Sequence, residues 1–86
     1  MIRRDQCRAA RGFLHWSQRD LANAANVSLS TIRDFESGKH EPIQNNLFAI
    51  RTAFENAGLA FTNGDSPGVR RLHGADDDTP TPDSAQ

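Results

Sequence analysis

The chain has 86 residues, enough for one domain with a small core, and its hydrophobic content of 36% is low for a globular protein. Its formal net charge is -1, but residues 75–86 hold four Asp and no Lys or Arg. The other residues carry ten basic and seven acidic side chains, a net charge of +3 that suits an anionic partner. No apolar run is long enough for a membrane span or for the core of a signal peptide. The only cysteine, Cys7, excludes an intramolecular disulfide and is consistent with a reducing compartment.

The first helix is predicted over about residues 3–14. Cys7, Ala10 and Leu14 recur at helical spacing, so they should face the core. We expect Cys7 to be a small core residue rather than a redox sensor, because nothing near it in the sequence activates the thiol. Trp16, in the connector that follows, is expected to pack beneath the second helix rather than to stand exposed for stacking on bases.

Residues 17–38 predict two short helices joined by a tight turn. Ser17 is a good N-cap for the first of them. Asn26 stands where the chain must reverse, and Asn tolerates left-handed backbone angles better than most residues. Ser28 is then expected to cap the second helix, and Gly38 to end it.

The second of these helices has an apolar stripe and a polar face. Ile32 and Phe35 form the stripe that should be buried. A polar face exposed on a short helix after a tight turn is the arrangement of a DNA-reading helix-turn-helix. The side chains predicted to remain outside the core are Leu29, Ser30, Thr31, Arg33 and Asp34.

A fourth helix and a β-hairpin are predicted after this pair. Pro42 favours a break before the helix, and Gly58 is expected to end it. Residues 59–62 and 69–72 predict two short strands around a run of turn-forming residues. The residues expected on the buried face of the helix are Ile43, Leu47, Ile50, Phe54 and Ala57.

The predicted hairpin must pack on something, because an isolated hairpin is marginally stable in water. It can fold against its own fourth helix or pair with the same hairpin of a second subunit. Residues 74–86 include two Pro and four Asp without apolar periodicity, so we expect a disordered acidic tail. The predicted organisation is a helical domain over residues 1–58, a hairpin over residues 59–73 and this tail.

An ordered set of residues extends from about Cys7 to Ala57: Arg11, Trp16, Ser17, Gln18, Leu21, Ala22, Val27, Ser28, Thr31, Ile32, Phe35, Glu36, Gly38, Lys39 and Pro42. With this set the chain resembles the Xre/Cro/CI-like helix-turn-helix family of bacterial and phage repressors. Asn26 departs from the family pattern, which usually has Gly there. The resemblance implies a mostly α fold, a four-helix repressor-like helix-turn-helix domain, here with a short C-terminal β-hairpin. It also implies that the helix at about residues 28–37 lies in the major groove of double-stranded DNA.

Base readout would come from side chains at the start of this recognition helix. Leu29 suits a thymine methyl group, unless it is merely exposed. Arg33 could donate two hydrogen bonds to guanine or could bind a phosphate instead. Asp34 could accept from cytosine N4, although we favour a role in holding Arg33. The predicted base-contacting residues are Ser28, Leu29, Ser30, Arg33 and Asp34.

Phosphates would be bound around the same two helices. The backbone N–H groups and the side chain at Gln18, near the start of a helix, are the expected centre of this contact. The resemblance also places Arg11 near Glu36, as an ion pair that fixes the angle of the recognition helix. The predicted phosphate-contacting residues are Ser17, Gln18, Arg19, Thr31, Ser37, Lys39 and His40.

A homodimer is expected, because a twofold dimer matches a palindromic operator with half-sites about one helical turn apart. Phe61, Val69 and Leu72 of the hairpin are its predicted interface. The expected function is a sequence-specific transcriptional regulator, more a repressor than an activator. It would act in the cytoplasm, on the nucleoid through DNA binding.

Two other functions could use the same scaffold. A protein-interaction module, such as an anti-activator, would keep the fold without binding DNA. An antitoxin would bind both DNA and a toxin, with the acidic tail as the toxin-binding segment. Enzymatic activity, a cofactor and a metal site are not expected, because no Gly-rich phosphate loop or nucleophile elbow occurs and the three histidines are scattered: His15, His40 and His73.

Overall fold

The structure is a computed structural model that describes residues 2–62 and 68–72. The elements in chain order are α1 (Arg4–Leu14), α2 (Gln18–Ala25), α3 (Leu29–Ser37), α4 (Gln44–Asn56), β1 (Leu59–Thr62) and β2 (Gly68–Arg71). The predicted mostly α fold with a C-terminal hairpin is confirmed. None of the helices in the described ranges is long and apolar enough to cross a membrane. The predicted acidic tail over residues 74–86 lies outside these ranges.

The helix α1 turns its small residues inward. Cys7 and Ala10 are fully buried, and Leu14 is partly buried against the same core. The backbone N–H of Arg3 donates to the side-chain oxygen of Gln6 at 2.8 Å, which satisfies one group at the start of the helix. Cys7 therefore has the position of a core residue that its spacing predicts.

The ends of α2 and α3 are formed by the residues that the sequence assigns to them. Ser17 Oγ accepts the N–H of Asp20 at 3.0 Å, and the Asp20 carboxylate accepts the N–H of Ser17 at 2.9 Å. Asn26 ends α2 with a left-handed φ of 57°, and Gly38 ends α3 with φ 83°. The strain of a left-handed residue is smaller for Asn than for most side chains, which explains how this turn forms without Gly.

The core lies between the four helices, and α4 contributes its largest part. Trp16 is half-buried, with its ring stacked on Phe54 of α4 at a centroid distance of 5.7 Å. The prediction for Ile43 is wrong, since this residue is 68% exposed. Ile43 is the extended N-cap of α4, with ψ 159°, so the helical period does not set the direction of its side chain. The largest fully buried side chains are Phe35, Phe54, Leu21, Ile32, Ile50, Leu59 and Cys7.

The hairpin packs against its own domain. Its strands pair antiparallel, with Phe61 opposite Val69, and they contact α4 and α1. The ring of Phe61 meets Phe54 edge-on at 5.8 Å. The side-chain amide of Gln6 donates to carbonyl oxygens on both strands, at 2.9 Å on β1 and 3.2 Å on β2. Phe61 and Val69 are thereby half-buried within the chain, whereas Leu72, just beyond β2, is exposed.

Candidate nucleic-acid interface

The helix α3 is amphipathic, and its polar side faces solvent. Ile32 and Phe35 enter the core, as predicted. Ser30 and Arg33 are exposed, and residues three apart on a helix share one face. Arg33 has neither a hydrogen bond nor an ion pair with another residue in the described ranges 2–62 and 68–72. Its guanidinium is therefore available to a ligand.

Hydroxyl groups cluster at the start of α3. Ser28 Oγ accepts the N–H of Thr31 at 3.1 Å, which makes Ser28 the N-cap. The same oxygen lies 2.7 Å from Thr31 Oγ1 and 3.2 Å from Ser30 Oγ. The three hydroxyls thus form one small network, in which Ser28 and Ser30 are exposed and Thr31 is partly buried.

The prediction that Leu29 lies outside the core is wrong. This side chain is partly buried and packs against the core cluster. Leu29 is the first residue of α3, and side chains on a helix lean toward its N-terminus, so the first one can fold back over the core. Only part of Leu29 is open to a base.

The end of α3 is fixed by backbone hydrogen bonds to Asp34. Its carbonyl oxygen accepts the N–H groups of Lys39 at 2.9 Å and of His40 at 3.2 Å. Ser37 Oγ donates to the same carbonyl at 3.2 Å. No ion pair joins Asp34 to Arg33 within the described part of the chain, so the expected holding role of Asp34 is not seen. The exposed side chains of Lys39 and His40 consequently stand beside the C-terminal end of α3.

At the N-terminus of α2, two of the side chains predicted to bind a phosphate form hydrogen bonds within the protein instead. Ser17 Oγ is used in capping, and the side-chain amide of Gln18 donates to Glu36 at 3.1 Å. These two side chains are thus engaged within the protein. What remains for a phosphate is the exposed side chain of Arg19 and the N–H groups of the first helical turn other than that of Asp20, which Ser17 caps.

A buried carboxylate joins α1, α2 and α3. Arg11 donates to both oxygens of Glu36 at 2.7 Å, the bidentate geometry in which arginine binds a carboxylate most strongly. Cys7 Sγ lies 3.1 Å from Glu36 Oε2. The side chain of Glu36 is 4% exposed and that of Arg11 is 20% exposed. We call Cys7, Arg11, Gln18 and Glu36 the Glu36 cluster.

Two further bonds tie this cluster to the backbone. Arg8 Nη1 donates to the carbonyl oxygen of Glu36 at 2.6 Å, and Arg11 Nη1 donates to that of Trp16 at 3.0 Å. Because the last carbonyls of a helix have no partner inside it, Arg8 satisfies one at the end of α3. The angle between α1 and α3 is thus set by several charge-assisted hydrogen bonds.

The charge states in the cluster follow from its geometry. Burial raises the pKa of Glu36, but the hydrogen bonds from Arg11, Gln18 and Cys7 outweigh burial and hold the pKa below its usual value. Burial, followed by the hydrogen bond to Glu36, raises the pKa of the Cys7 thiol. At neutral pH the cluster therefore contains an ionised carboxylate and a protonated thiol that donates to it.

We expect the Glu36 cluster to lose its stabilising effect in acid. Because folding lowers the pKa of Glu36, its contribution is complete above the unfolded pKa, about 4.3, and decreases as the pH falls through the folded value. The measurement is thermal unfolding of the wild type and of Glu36→Gln between neutral pH and pH about 3. The difference in melting temperature between the wild type and Glu36→Gln should become smaller as the pH falls. A difference that stays constant would show that the ionisation of Glu36 is not coupled to folding.

No pattern in the sequence predicts that Cys7, Arg8 and Gln18 form hydrogen bonds with Glu36. A partial signal exists in the spacing of Arg4, Arg8 and Arg11, at i, i+4 and i+7, which places three arginines along one side of α1. The partner of that side could not be read from spacing. Within the described ranges no group of three His, Cys, Asp or Glu side chains is arranged to hold a metal ion.

Comparison with known proteins agrees with this geometry. A helix-turn-helix family model matches residues 8–56, more than half of the chain. The match covers α2 and α3 completely, together with most of α1 and all of α4. No curated protein matches the chain significantly. The chain therefore belongs to the Xre/Cro/CI-type helix-turn-helix family, a family of DNA-binding regulators.

Proposed function

We propose that the protein is a sequence-specific transcriptional regulator that binds double-stranded DNA as a dimer and acts as a repressor on a palindromic operator. The observation that carries the proposal is the orientation of α3. The Glu36 cluster fixes this helix from behind, while Ser30 and Arg33 stand exposed on its other side, and Arg33 has no hydrogen bond or ion pair within the described ranges. Family membership supports the DNA-binding part of the proposal.

Bases are read by the exposed side of α3. Arg33 is the proposed guanine contact, since a free guanidinium can donate to both O6 and N7. Ser30 would donate or accept beside it; the N-cap Ser28 lies two residues before Ser30, and Asp34 directly follows Arg33. Leu29 offers only its exposed part to a thymine methyl group.

Phosphates are bound on both sides of the base contacts. At the N-terminus of α2, the side chain of Arg19 and the backbone N–H groups of Gln18 and Arg19 form one contact. At the other end of α3, the side chains of Lys39 and His40 form a second contact. Thr31 and Ser37 add hydroxyl groups, although each is also engaged in a hydrogen bond within α3.

A dimer would use the hairpin. Phe61 and Val69 each keep part of their surface outside the core, and Leu72 is 47% exposed. A twofold contact through this surface would present two α3 helices to half-sites about one helical turn apart. A protein of this kind would act in the cytoplasm, on the nucleoid.

The proposal is tested by titrating the purified protein against the DNA upstream of its own gene, at low and moderate salt, with unrelated DNA as competitor. A regulator should shift its own DNA specifically, with weaker binding at higher salt and with a dimer as the bound species. Sedimentation at the same concentrations gives the oligomeric state. Absence of binding at either salt would overturn the proposal and favour a protein-interaction module.

In the same assay, Arg33→Ala is expected to weaken specific binding by about 1–3 kcal/mol, because a bidentate contact to a base is lost. Binding to unrelated DNA should change much less, so the ratio between the two affinities falls. The matched control is Arg51→Ala, which removes the same charge from α4, where Arg51 pairs with Glu55 at 2.9 Å. An equal loss on both DNAs would assign Arg33 to a phosphate instead.

A further inference from the structure

A cleft beside the C-terminal end of α3 is lined by arginines. It encloses about 460 Å³ between the start of α1 and the segment that follows α3. That segment also includes Lys39 and His40, so the cleft continues the phosphate surface proposed above. Its lining residues are Ile2, Arg3, Arg4, Asp5, Arg8 and Glu41.

We propose that Arg4, in this cleft, binds a DNA phosphate that flanks the base pairs read by α3. This inference rests on the proposed function, because it extends the same interface beyond the helix-turn-helix. The family match begins at residue 8, so Arg4 lies outside the part of the chain that the match covers.

The position of the Arg4 guanidinium supports the proposal. A Cβ placed on Gly38 would lie 3.0 Å from Arg4 Nη1 and 3.2 Å from its Cζ. The guanidinium thus lies directly over the residue that ends the recognition helix. A helix in the major groove ends close to the sugar–phosphate backbone of the DNA. The positive charge of the Arg4 guanidinium would therefore lie near DNA phosphates.

Arg4 differs from the other two arginines of the cleft, because none of its donors has a partner within the described ranges. Arg8 already donates to the Glu36 carbonyl, and Arg3 pairs with Asp5 at 3.4 Å. Within the described ranges Arg4 has no hydrogen bond or ion pair, and its side chain is exposed. A guanidinium presents five N–H groups in a planar fork that matches a phosphate.

The carboxylate of Glu41 opposes this charge from the other wall of the cleft. It is exposed, and it forms no ion pair in the described part of the chain. Because it would repel a phosphate, its removal should have the opposite effect to that of removing Arg4. The two walls therefore give a pair of substitutions with opposite expected signs.

The test measures binding of the full chain to a fluorescein-labelled duplex of mixed sequence, about two helical turns long, and to the upstream DNA, across a salt series. Arg4→Gln should weaken binding about threefold to tenfold on both duplexes and lower the salt slope by about one. Arg4→Lys keeps the positive charge, so it should keep most of the slope of binding affinity against salt concentration. Glu41→Gln should tighten binding, and the control Arg51→Gln should match the wild type.

Each other result overturns part of this inference. If Arg4→Gln binds as the wild type does, Arg4 makes no phosphate contact although the regulator still binds DNA. A loss confined to the specific duplex would make Arg4 a base-reading or positioning residue. If inorganic phosphate displaces the duplex more strongly than chloride does at equal ionic strength, the cleft is a site for a free anion and not for a DNA phosphate. If the wild type binds neither duplex, the proposed function fails together with this inference.

Discussion

Glu36→Ala is expected to lower the free energy of unfolding by about 3 kcal/mol, because the substitution leaves the partly buried guanidinium of Arg11 without its counter-charge. Among the described residues Arg11 would keep its bond to the Trp16 carbonyl alone, and the donors of Cys7 and Gln18 would lose their shared acceptor. Unsatisfied donors in a buried site cost more than the net gain from the original bonds. The recognition helix would also lose its attachment to α1, so DNA binding should weaken by about tenfold.

Thermal and urea unfolding measure the first effect, and the titration with upstream DNA measures the second. Glu55→Ala is the matched control, since it removes a glutamate from an exposed pair one turn apart on α4. Such a pair contributes about 0.3–0.5 kcal/mol. If Glu36→Ala melts and binds as Glu55→Ala does, the Glu36 cluster does not orient α3.

Phe54→Ala should have the largest effect on stability, about 4 kcal/mol, because a large aromatic side chain would leave a cavity in a small core. Phe54 is fully buried, and its ring stacks on Trp16 and meets the ring of Phe61 edge-on. The substitution therefore removes the contact through which α4 holds both the connector before α2 and the hairpin. A domain of this size has little stability in reserve, so the variant should be partly unfolded at moderate temperature.

The measurement is urea unfolding followed by fluorescence, since Trp16 is the only tryptophan in the sequence and stacks on Phe54. Phe48→Ala is the control on the same helix. Phe48 is 63% exposed, so its truncation should change stability by less than about 0.5 kcal/mol. Equal stability of the two variants would contradict the proposed role of Phe54 in joining the connector and the hairpin to α4.

Local rules predict the boundaries of this fold well. Ser17, Asn26, Ser28 and Gly38 cap or end helices because each acts on groups within three or four residues of itself. Periodicity predicts the buried faces for the same reason. Periodicity fails at Leu29 and Ile43. A helix begins at or directly after each of these residues, and there the helical spacing does not yet determine the direction of the side chain.

Contacts between distant residues could not be predicted in this way. The pairing of Arg11 with Glu36 was expected only from the family resemblance, since 25 residues separate the two. The donors from Arg8 and Gln18 depend on how three helices approach one another, which no local spacing encodes. The hairpin strands follow from composition, but their packing on α1 depends on Gln6, a polar residue whose burial has no sequence signal.

Because of the Glu36 cluster, the protein loses the conformational entropy of the surrounding segments when it folds, before it binds a ligand. Three segments of the chain are ordered around one carboxylate before any ligand is present, so the cost of that ordering belongs to folding and not to association. Little rearrangement should then be needed at the moment of contact, and the association rate should be governed by diffusion and charge. A kinetic trace of complex formation should accordingly show one concentration-dependent phase, whose rate decreases as salt is added.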